Sequence, residues 1–355
     1  MAKLKLSDEK VFGVIKTLTA LLIALAITFI ALCFTAEAPL QSFATMLTAP
    51  LTKIRYFSNV LEMMTPLVFT ALACAILFRA GIFNLGVEGI FFICGLVTTY
   101  AATQLALSSH FLHPLLAILL SGTVGGLLML IPGFLKAKFD TNIVVSTLML
   151  NSIYLGIGLW LLKDKMLATD ISVTASPLFA KSAKLPYLFS GTRITVGFFL
   201  ALLAAVLVYV MMNKTRLGYK IRISGQNANF AKYSGIGAFS LILLIHFISG
   251  FLAGVGSSVE LLSFYDRFTW TKITTHGATG MLIAMMGNNR VVPVMIAAFG
   301  ISYLKIGAEI MSRSTVVPVE IISIVEATLV LLISSQYFLR GLREKKLLKE
   351  GMADA

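Results

Sequence analysis

Long apolar runs separated by short polar breaks constrain this chain more than any other feature. The first run, about 18 residues from Thr17 to Phe34, carries no charge, and comparable runs recur as far as Leu339. A run of this length matches a helix that crosses a bilayer, since a core of about 30 Å takes about 20 residues. With 58% hydrophobic and 13% charged residues and a mean hydropathy of +0.91, an all-α integral membrane protein is predicted.

We predict ten spans and a single polytopic domain over residues 1–355. The predicted spans are 17–34, 61–78, 87–107, 112–135, 143–162, 194–212, 239–262, 279–287, 291–311 and 317–339. Both ends, including a basic tail at 340–355, are assigned to the cytoplasm because Lys and Arg favour that side. The eighth run is only about nine residues, or roughly 14 Å of helix, so it needs a protein-lined interior. The predicted outer loop 163–193 is basic as well, which goes against the charge rule.

The amino terminus resembles a secretory signal, because Ala36 and Ala38 form an A-x-A pattern after the first apolar run. That run is longer than the apolar part of a signal peptide, so an uncleaved first span is predicted and cleavage is the alternative. A segment at 35–60 is expected to hold a short helix at the outer interface. The formal net charge of +13 is interpreted as a topology signal, with membrane lipid and no nucleic acid as the partner.

Catalytic and cofactor motifs are not found in the sequence. It has no phosphate-binding G-x-x-x-x-G-K-[ST], no G-x-S-x-G and no clustered His and carboxylate pattern. Cys33, Cys74 and Cys94 lie in apolar runs without metal-ligand or redox spacing and are interpreted as packing residues. We therefore expect no enzyme activity, no catalytic residue, no metal and no cofactor in this chain.

A break in the backbone is predicted between the second and third spans. The letters RAGIFNLG contain Gly81 and Gly86 and are too short for an ordinary loop, so the chain is expected to break at or inside the membrane. Asn84 and Glu88 lie four residues apart and are expected on one face of the helix that begins there. Glu88 either caps free N–H groups of that helix or contacts substrate.

Further polar groups lie within predicted spans, where they need partners or an aqueous lining. Thr147, Asn151 and Tyr154 form a stripe on the fifth span, which either lines a substrate pathway together with Asn84 and Glu88 or joins helices by hydrogen bonds. By helical rise, Lys305 lies roughly 20 Å and Glu326 roughly 16 Å from the inner face, and Glu309 is one turn from Lys305. A buried structural cluster is favoured for these charges over a proton or ion relay.

Small residues indicate where helices approach closely. The fourth span contains Ser121, Gly122, Gly125 and Gly126, and the seventh contains Gly250 and Gly254 in a G-x-x-x-G pattern. Both patterns are typical of tight packing between membrane helices.

The segment 213–237 is the longest polar run between two strongly apolar segments. It carries Lys and Arg without any acidic residue, which assigns it to the cytoplasmic side. Aromatic and aliphatic side chains accompany these cations, at Tyr219, Ile221, Ile223, Phe230 and Tyr233. Such side chains predict a docking surface for a protein, and contact with anionic lipid headgroups is the alternative.

Four motifs resemble those of the permease subunits of bacterial ABC importers for simple sugars and nucleosides. They are RAGIFNLGVEG (79–89), TNIVVSTLMLN (141–151), TRLGYKIRISGQNANFAKYSGI (215–236) and TGMLIAMMG (279–287). Their order and spacing fit over most of the chain. The resemblance implies an architecture akin to the vitamin B12 importer permease, in the bacterial cell membrane, that forms the translocation pathway for a nucleoside or simple sugar. The chain departs from the family after the fourth motif, where Asn288, Asn289 and Arg290 precede Pro293.

The resemblance also implies partners. They are a second permease subunit, two ATP-binding domains on the cytoplasmic face that hydrolyse ATP, and an extracytoplasmic substrate-binding protein or lipoprotein. The FNLGVEG form is closer to the nucleoside branch, in which the two permease chains are usually different proteins. In this family the basic segment is the coupling helix that sits in a cleft of the ATPase. The match carries that role onto Leu217, Gly218, Tyr219, Arg222, Ile223, Gly225, Asn227, Ala231 and Gly235.

Two other classes remain open from the sequence. A secondary transporter of a small polar solute would also show broken helices and buried ion pairs. An intramembrane enzyme is disfavoured, because no pair of nucleophile and base is recognisable.

Overall fold

The computed structural model describes residue 23, residues 25–315 except 106, 171 and 190, and residues 323, 324, 327 and 328. Regular structure in this part of the chain is helical, apart from one isolated bridge between Tyr187 and Thr195. The helices are α1 (Leu25–Thr35), α2 (Pro39–Thr52), α3 (Ile54–Arg79), α4 (Val87–Gln104), α5 (Leu112–Phe139), α6 (Ile143–Lys165), α7 (Val196–Lys214), α8 (Arg216–Gln226), α9 (Ala228–Tyr233), α10 (Ala238–Phe264), α11 (His276–Met286) and α12 (Val291–Ser314).

Seven helices of the described part are long and apolar enough to cross a membrane. They are α3, α4, α5, α6, α7, α10 and α12. Each overlaps one of the predicted runs. Most extend further, as α5 does to Phe139 rather than ending at 135, whereas α4 ends at Gln104 before the predicted 107 and α7 begins at Val196 after the predicted 194. Lys136 and Lys138 fall in the last turn of α5, where cations stabilise a helix end and long side chains reach the interface.

The first, eighth and tenth predicted spans are not among these seven helices. The predicted eighth span is α11, whose 11 residues rise roughly 16 Å and do not cross a bilayer core. The first span is described only from residue 23 onward, where α1 forms. The predicted tenth span lies almost wholly outside the described residues, as does the basic tail at 340–355.

The described residues from Ile54 to Ser302 form one compact unit. Within it, α3 is the most enclosed span, and α10 packs against α3, α4 and α5. Helices α6 and α7 lie at the periphery and expose apolar side chains such as Ile153 and Leu207. In a bilayer such side chains face lipid, so α6 and α7 give this unit an apolar perimeter.

The crossing of α5 and α10 confirms the predicted packing of small residues. A Cβ built on Gly125 would lie 2.5 Å from the Gly250 carbonyl oxygen, and Gly254 lies against the Ser121 carbonyl. The Ser121 hydroxyl donates to the Gly254 carbonyl oxygen at 2.9 Å and to that of Cys94 at 3.1 Å. Main chains therefore touch directly at this crossing.

A second compact unit comprises the described residues of 1–53 and of 303–355. Its core contains Leu32, Met46, Ala308 and Met311. The Tyr303 hydroxyl donates to the Leu47 carbonyl oxygen. The single interfacial helix expected at 35–60 is instead α2 followed by the beginning of α3, because the chain is interrupted at Lys53. Cys33 is exposed, so its packing assignment was wrong, whereas Cys74 and Cys94 are buried as predicted.

Candidate functional site

The predicted backbone break lies between α3 and α4. Helix α3 ends at Arg79 and α4 begins at Val87, with non-helical chain between them. Gly81 has a φ of +75°, a conformation that favours glycine. The rings of Phe78 and Phe83 stack across the turn with centroids 5.1 Å apart. The break predicted from RAGIFNLG is therefore confirmed.

Side chains of α6 satisfy the free backbone groups of this break. The Asn151 side chain accepts a hydrogen bond from Gly89 N–H at 3.1 Å and donates to the Leu85 carbonyl oxygen at 3.0 Å. Leu85 N–H donates to the Thr147 hydroxyl at 3.3 Å. Buried backbone groups need such partners, particularly in a membrane where no water is at hand. Thr147 and Asn151 therefore bond α6 to the break, and their lining of a substrate pathway stays a prediction.

The other polar residues of the predicted pathway, Asn84, Tyr154 and Glu88, lie on different elements. Asn84 is not on a helix face with Glu88, because α4 begins only at Val87. Instead, the buried Asn84 side chain accepts from Gly86 N–H at 2.6 Å. Tyr154 donates to the Leu128 carbonyl oxygen at 3.2 Å. The half-buried Glu88 lies in the first turn of α4, where a carboxylate stabilises the positive end of the helix dipole, so its choice between capping and substrate contact stays a prediction.

The segment 213–237 contains the end of α7 and then α8 and α9. The Thr215 hydroxyl accepts from Gly218 N–H at 3.2 Å and begins α8, and the Asn227 side chain accepts from Phe230 N–H at 2.9 Å and begins α9. Gly235, with a φ of +76°, ends α9. Short helices with capped starts form here because the apolar span has ended and Thr and Asn supply the caps.

One side of α8 lies directly against the break. A Cβ built on Gly81 would lie 3.4 Å from Gly225, and Gly225 itself touches the Arg79 carbonyl oxygen. Ile221 is fully buried and the Arg222 guanidinium donates to the Met212 carbonyl oxygen. Ile221, which was predicted to dock on a partner, therefore packs inside this chain instead.

The other side of α8 and α9 is exposed, and we call it the docking face after its predicted role. This face carries Tyr219, Phe230 and Tyr233, of which Tyr233 is 90% exposed. The exposed Lys220 and Lys232 accompany these rings. An exposed aromatic group with a basic rim is typical of a protein-binding surface.

The turn after α11 also contacts the break, through a hydrogen bond from Arg79. The Arg79 Nε donates to the Asn289 carbonyl oxygen at 3.1 Å, which ties the end of α3 to the turn after α11. Asn288 and Asn289 both have positive φ, at 49° and 56°. Asparagine tolerates this conformation better than most residues, which accounts for the departure from the family pattern at this turn.

A buried pair of ionisable side chains was missed by the sequence analysis. His276 Nε2 and Glu260 Oε1 lie 3.0 Å apart, joining the start of α11 to α10. The second carboxylate oxygen of Glu260 and Nδ1 of His276 are buried without a hydrogen-bond partner. Glu260 is the single carboxylate in the apolar α10 sequence, and that isolation was the available signal.

The predicted charge cluster on the ninth and tenth spans is described in part. The Glu309 carboxylate pairs with Arg313 one turn away at 3.4 Å. Lys305 is half-buried on the same helix, and Glu326 lies outside the described residues. The cluster of Lys305, Glu309 and Glu326 therefore stays a prediction. No group of three or more His, Cys, Asp or Glu residues suited to a metal ion occurs in the described part.

Ion pairs involve both cations and a carboxylate of the long loop after α6. Lys184 pairs with Asp266, and Arg193 pairs with Glu62 at 3.0 Å. The loop residue Asp170 pairs at 3.0 Å with Arg267, which follows α10. Arg267 holds the pKa of Asp170 below its usual range by its hydrogen bond and its charge. The pairs of Lys184 and Arg193 reduce the unbalanced charge of a loop that seemed too basic for its predicted side.

The comparison with protein families identifies the chain. The sequence profile described as branched-chain amino acid transport system / permease component matches residues 56–334. The chain belongs to this permease family. The match runs from α3 past α12, so it includes the break, α8 and the pair of Glu260 and His276.

Relatives of the permease carry transporter names. It is 32% identical to guanosine ABC transporter permease protein NupP of Bacillus subtilis, over 81% of this chain and 83% of the relative. It is 29% identical to glucose ABC transporter permease protein TsgB13 of Haloferax volcanii, over 90% and 87%. It is 26% identical to nucleoside ABC transporter permease protein NupB of Lactococcus lactis, over 86% of each. No solved structure matches the permease significantly.

Proposed function

We propose that this chain is the transmembrane permease subunit of an ABC importer and forms the translocation pathway for a nucleoside or a simple sugar. The family match and the names of the relatives from three organisms support this proposal. ATP hydrolysis is assigned to partner subunits, because the sequence contains no phosphate-binding loop.

The proposed assembly follows the family resemblance. We propose a single permease domain with ten spans, both ends in the cytoplasm and an architecture akin to the vitamin B12 importer permease. The proposed partners are a different permease chain, cytoplasmic ATP-binding subunits, an extracytoplasmic binding protein or lipoprotein, and the surrounding lipid. Asn84, Glu88, Thr147, Asn151 and Tyr154 are proposed as one wall of the pathway. Glu88 is its free carboxylate, and the other four are held by backbone hydrogen bonds.

The observation that carries the coupling role is the position of α8. Its exposed side presents the aromatic docking face, and its opposite side contacts the break at Arg79 and Gly81. A partner seated on the docking face would therefore act directly on the junction of α3 and α4. We propose the nine residues already assigned to coupling as this device, with Tyr219 as an outward anchor and Gly218 and Gly225 as inward contacts.

Replacing Tyr219 by alanine is expected to uncouple the transporter. A central aromatic anchor contributes about 2 kcal/mol or more to an interface, so Tyr219→Ala should weaken ATPase binding by about 30-fold. Uptake and receptor-stimulated ATP hydrolysis in the assembled complex are the measurements, together with the membrane level of the chain. That level should not fall, because the ring is exposed and bonds nothing within the chain.

Tyr100→Ala is the matched control for this test. Tyr100 is 55% exposed and Tyr219 is 54% exposed, and Tyr100 lies on α4 near its distant end. Normal uptake with Tyr219→Ala would contradict the coupling role. A secondary transporter, the alternative function, would also tolerate this change.

Thiol labelling tests the proposed orientation. Ser172 and Gln226 are exposed, on the loop after α6 and at the end of α8 respectively. In a Cys33→Ala background, Ser172→Cys should react with an impermeant reagent from outside intact cells, and Gln226→Cys only in inverted vesicles. The buried Cys74 and Cys94 should stay silent. Reaction of both new thiols from the same side would contradict the proposed topology.

A further inference from the structure

Unpartnered polar atoms concentrate where the second half of α10 meets the start of α11. They are Oγ of Ser257, Oε2 of Glu260, Oγ1 of Thr274 and Nδ1 of His276, all buried without a hydrogen-bond partner. Buried polar groups in proteins are nearly always bonded to protein or to ordered water. Four such atoms on adjoining elements indicate a place that receives an additional molecule.

The elements bring these groups to one location. Ser257 and Glu260 lie three residues apart in α10 and share a face, and Glu260 contacts His276 in the first turn of α11. The adjacent Gly277 fits closely against Glu88, since a Cβ there would lie 2.5 Å from the Glu88 Cα. The Glu260 side chain is only 5% exposed. Its free oxygen therefore points into protein rather than into lipid.

Aromatic rings line the same location. Phe91 lies 5.3 Å from the His276 ring and 5.7 Å from Trp270, measured between centroids. Tyr265 contacts Trp270 edge-on at 5.9 Å. Aromatic side chains next to a few polar groups are typical of sites for small ring-shaped molecules.

The charged side chains at this location favour a neutral solute over an anionic one. Glu260 and the half-buried Glu88 both lie close to His276. With His276 Nε2–H donating to Glu260, the unpartnered Nδ1 of a neutral ring is an acceptor, as is Glu260 Oε2. Two carboxylates against at most one cation disfavour an anion. Acceptor atoms favour a solute that brings N–H or O–H donors.

We propose that this location is a solute-binding site within the permease, here named the α10–α11 site. It takes an uncharged, ring-shaped molecule rich in hydrogen-bond donors, the chemistry shared by free nucleosides and free sugars, and it rejects their phosphorylated forms. This inference rests on the proposed transport function and adds to it a selection step inside the membrane chain. Ser257, Glu260, Thr274 and His276 supply the hydrogen bonds, and Phe91 and Trp270 form the apolar wall.

Thermal unfolding of the purified full chain in detergent tests this proposal. Guanosine, glucose and guanosine monophosphate serve as separate probes at matched concentration. A probe at ten times its dissociation constant lowers the unfolded fraction by about 11-fold and raises the Tm accordingly. We expect a rise with guanosine or glucose, and which of them acts identifies the source of the chemistry. No rise is expected with the monophosphate.

Single substitutions test whether the Tm shift arises from binding at the α10–α11 site. Glu260→Gln and Ser257→Ala should each weaken the probe's binding by about tenfold, whereas Glu37→Gln, at an exposed position, should not. Ser249→Ala is the matched control for Ser257, because both serines are buried in α10 but the Ser249 hydroxyl already donates to the Ala73 carbonyl oxygen at 3.1 Å. Ser249→Ala should lower the Tm without probe and leave the shift caused by the probe intact.

Three outcomes would overturn the proposal. They are the lack of any shift with both neutral probes, an equal shift with the monophosphate, and an unchanged shift in Glu260→Gln and Ser257→Ala. In the first case bound water alone satisfies these groups. Uptake by the assembled transporter is measured separately, so normal uptake without a shift would reject this site and leave the transport function standing.

Discussion

Gly250→Leu is expected to remove nearly all folded permease from the membrane. The Gly250 backbone lies against the Gly125 carbonyl oxygen, so any side chain at this position collides with main chain, which cannot rotate away. Forcing a side chain into a packed core costs about 1 to 3 kcal/mol, and here α5 and α10 must also separate and lose the Ser121–Gly254 hydrogen bond. The amount of monodisperse protein in detergent and its Tm are the measurements.

A glycine with free space around it provides the control. Gly156 lies inside α6 and has nothing within 4 Å of an added Cβ. Gly156→Ala should leave the protein level unchanged or raise the Tm slightly, since alanine favours helix by about 1 kcal/mol over glycine. Normal yield of Gly250→Leu would mean that α5 and α10 do not cross at this glycine.

Asn151→Leu is expected to have the next largest effect. The change keeps the side-chain volume but leaves the Leu85 carbonyl and Gly89 N–H without partners at the break. Each unsatisfied buried group costs about 1 to 3 kcal/mol, so a loss of about 3 kcal/mol in the free energy of unfolding is expected. Proteolysis between Ala80 and Gly86 should accelerate, which reports on the break itself.

Ser152→Ala separates this effect from a general weakening of α6. Ser152 is the next residue, is exposed, and its hydroxyl reaches only the Leu148 carbonyl oxygen at 3.5 Å. Its removal should change neither the Tm nor the cleavage rate. If Asn151→Leu behaved in the same way, water rather than Asn151 would satisfy the break.

The membrane spans could be predicted from sequence because the bilayer imposes their length. Each apolar run that lies within the described residues became a helix, and the end of α5 moved outward where the Lys136 and Lys138 side chains reach past the core. The register between helices could be predicted only where glycines signal it, at Gly125 and Gly250. Elsewhere the helix surfaces consist largely of leucine and isoleucine, which pack equally well against lipid or protein, so the sequence does not indicate which helix faces are in contact.

The candidate sites show where sequence reasoning stops. The break and the segment 213–237 have local signals, namely glycine at a turn and Thr or Asn before a helix. Asn84 was placed on a helix because spacing alone does not reveal where the helix begins. Glu260 and His276 are 16 residues apart, and their meeting depends on the short α11 returning beside α10. No periodic pattern encodes a contact of that kind.

The Gly225 contact separates two tasks on opposite sides of one helix. On the inward side, the Gly225 backbone contacts the Arg79 carbonyl oxygen directly. A displacement of α8 would therefore be transmitted to the end of α3 through main chain, with no flexible side chain between the two helices. Outward, Tyr219, Phe230 and Tyr233 are free to vary without altering that contact. If α8 has the proposed coupling role, a change of the ATP-binding partner would require new surface rings only, while the contact of Gly225 with Arg79 would stay the same.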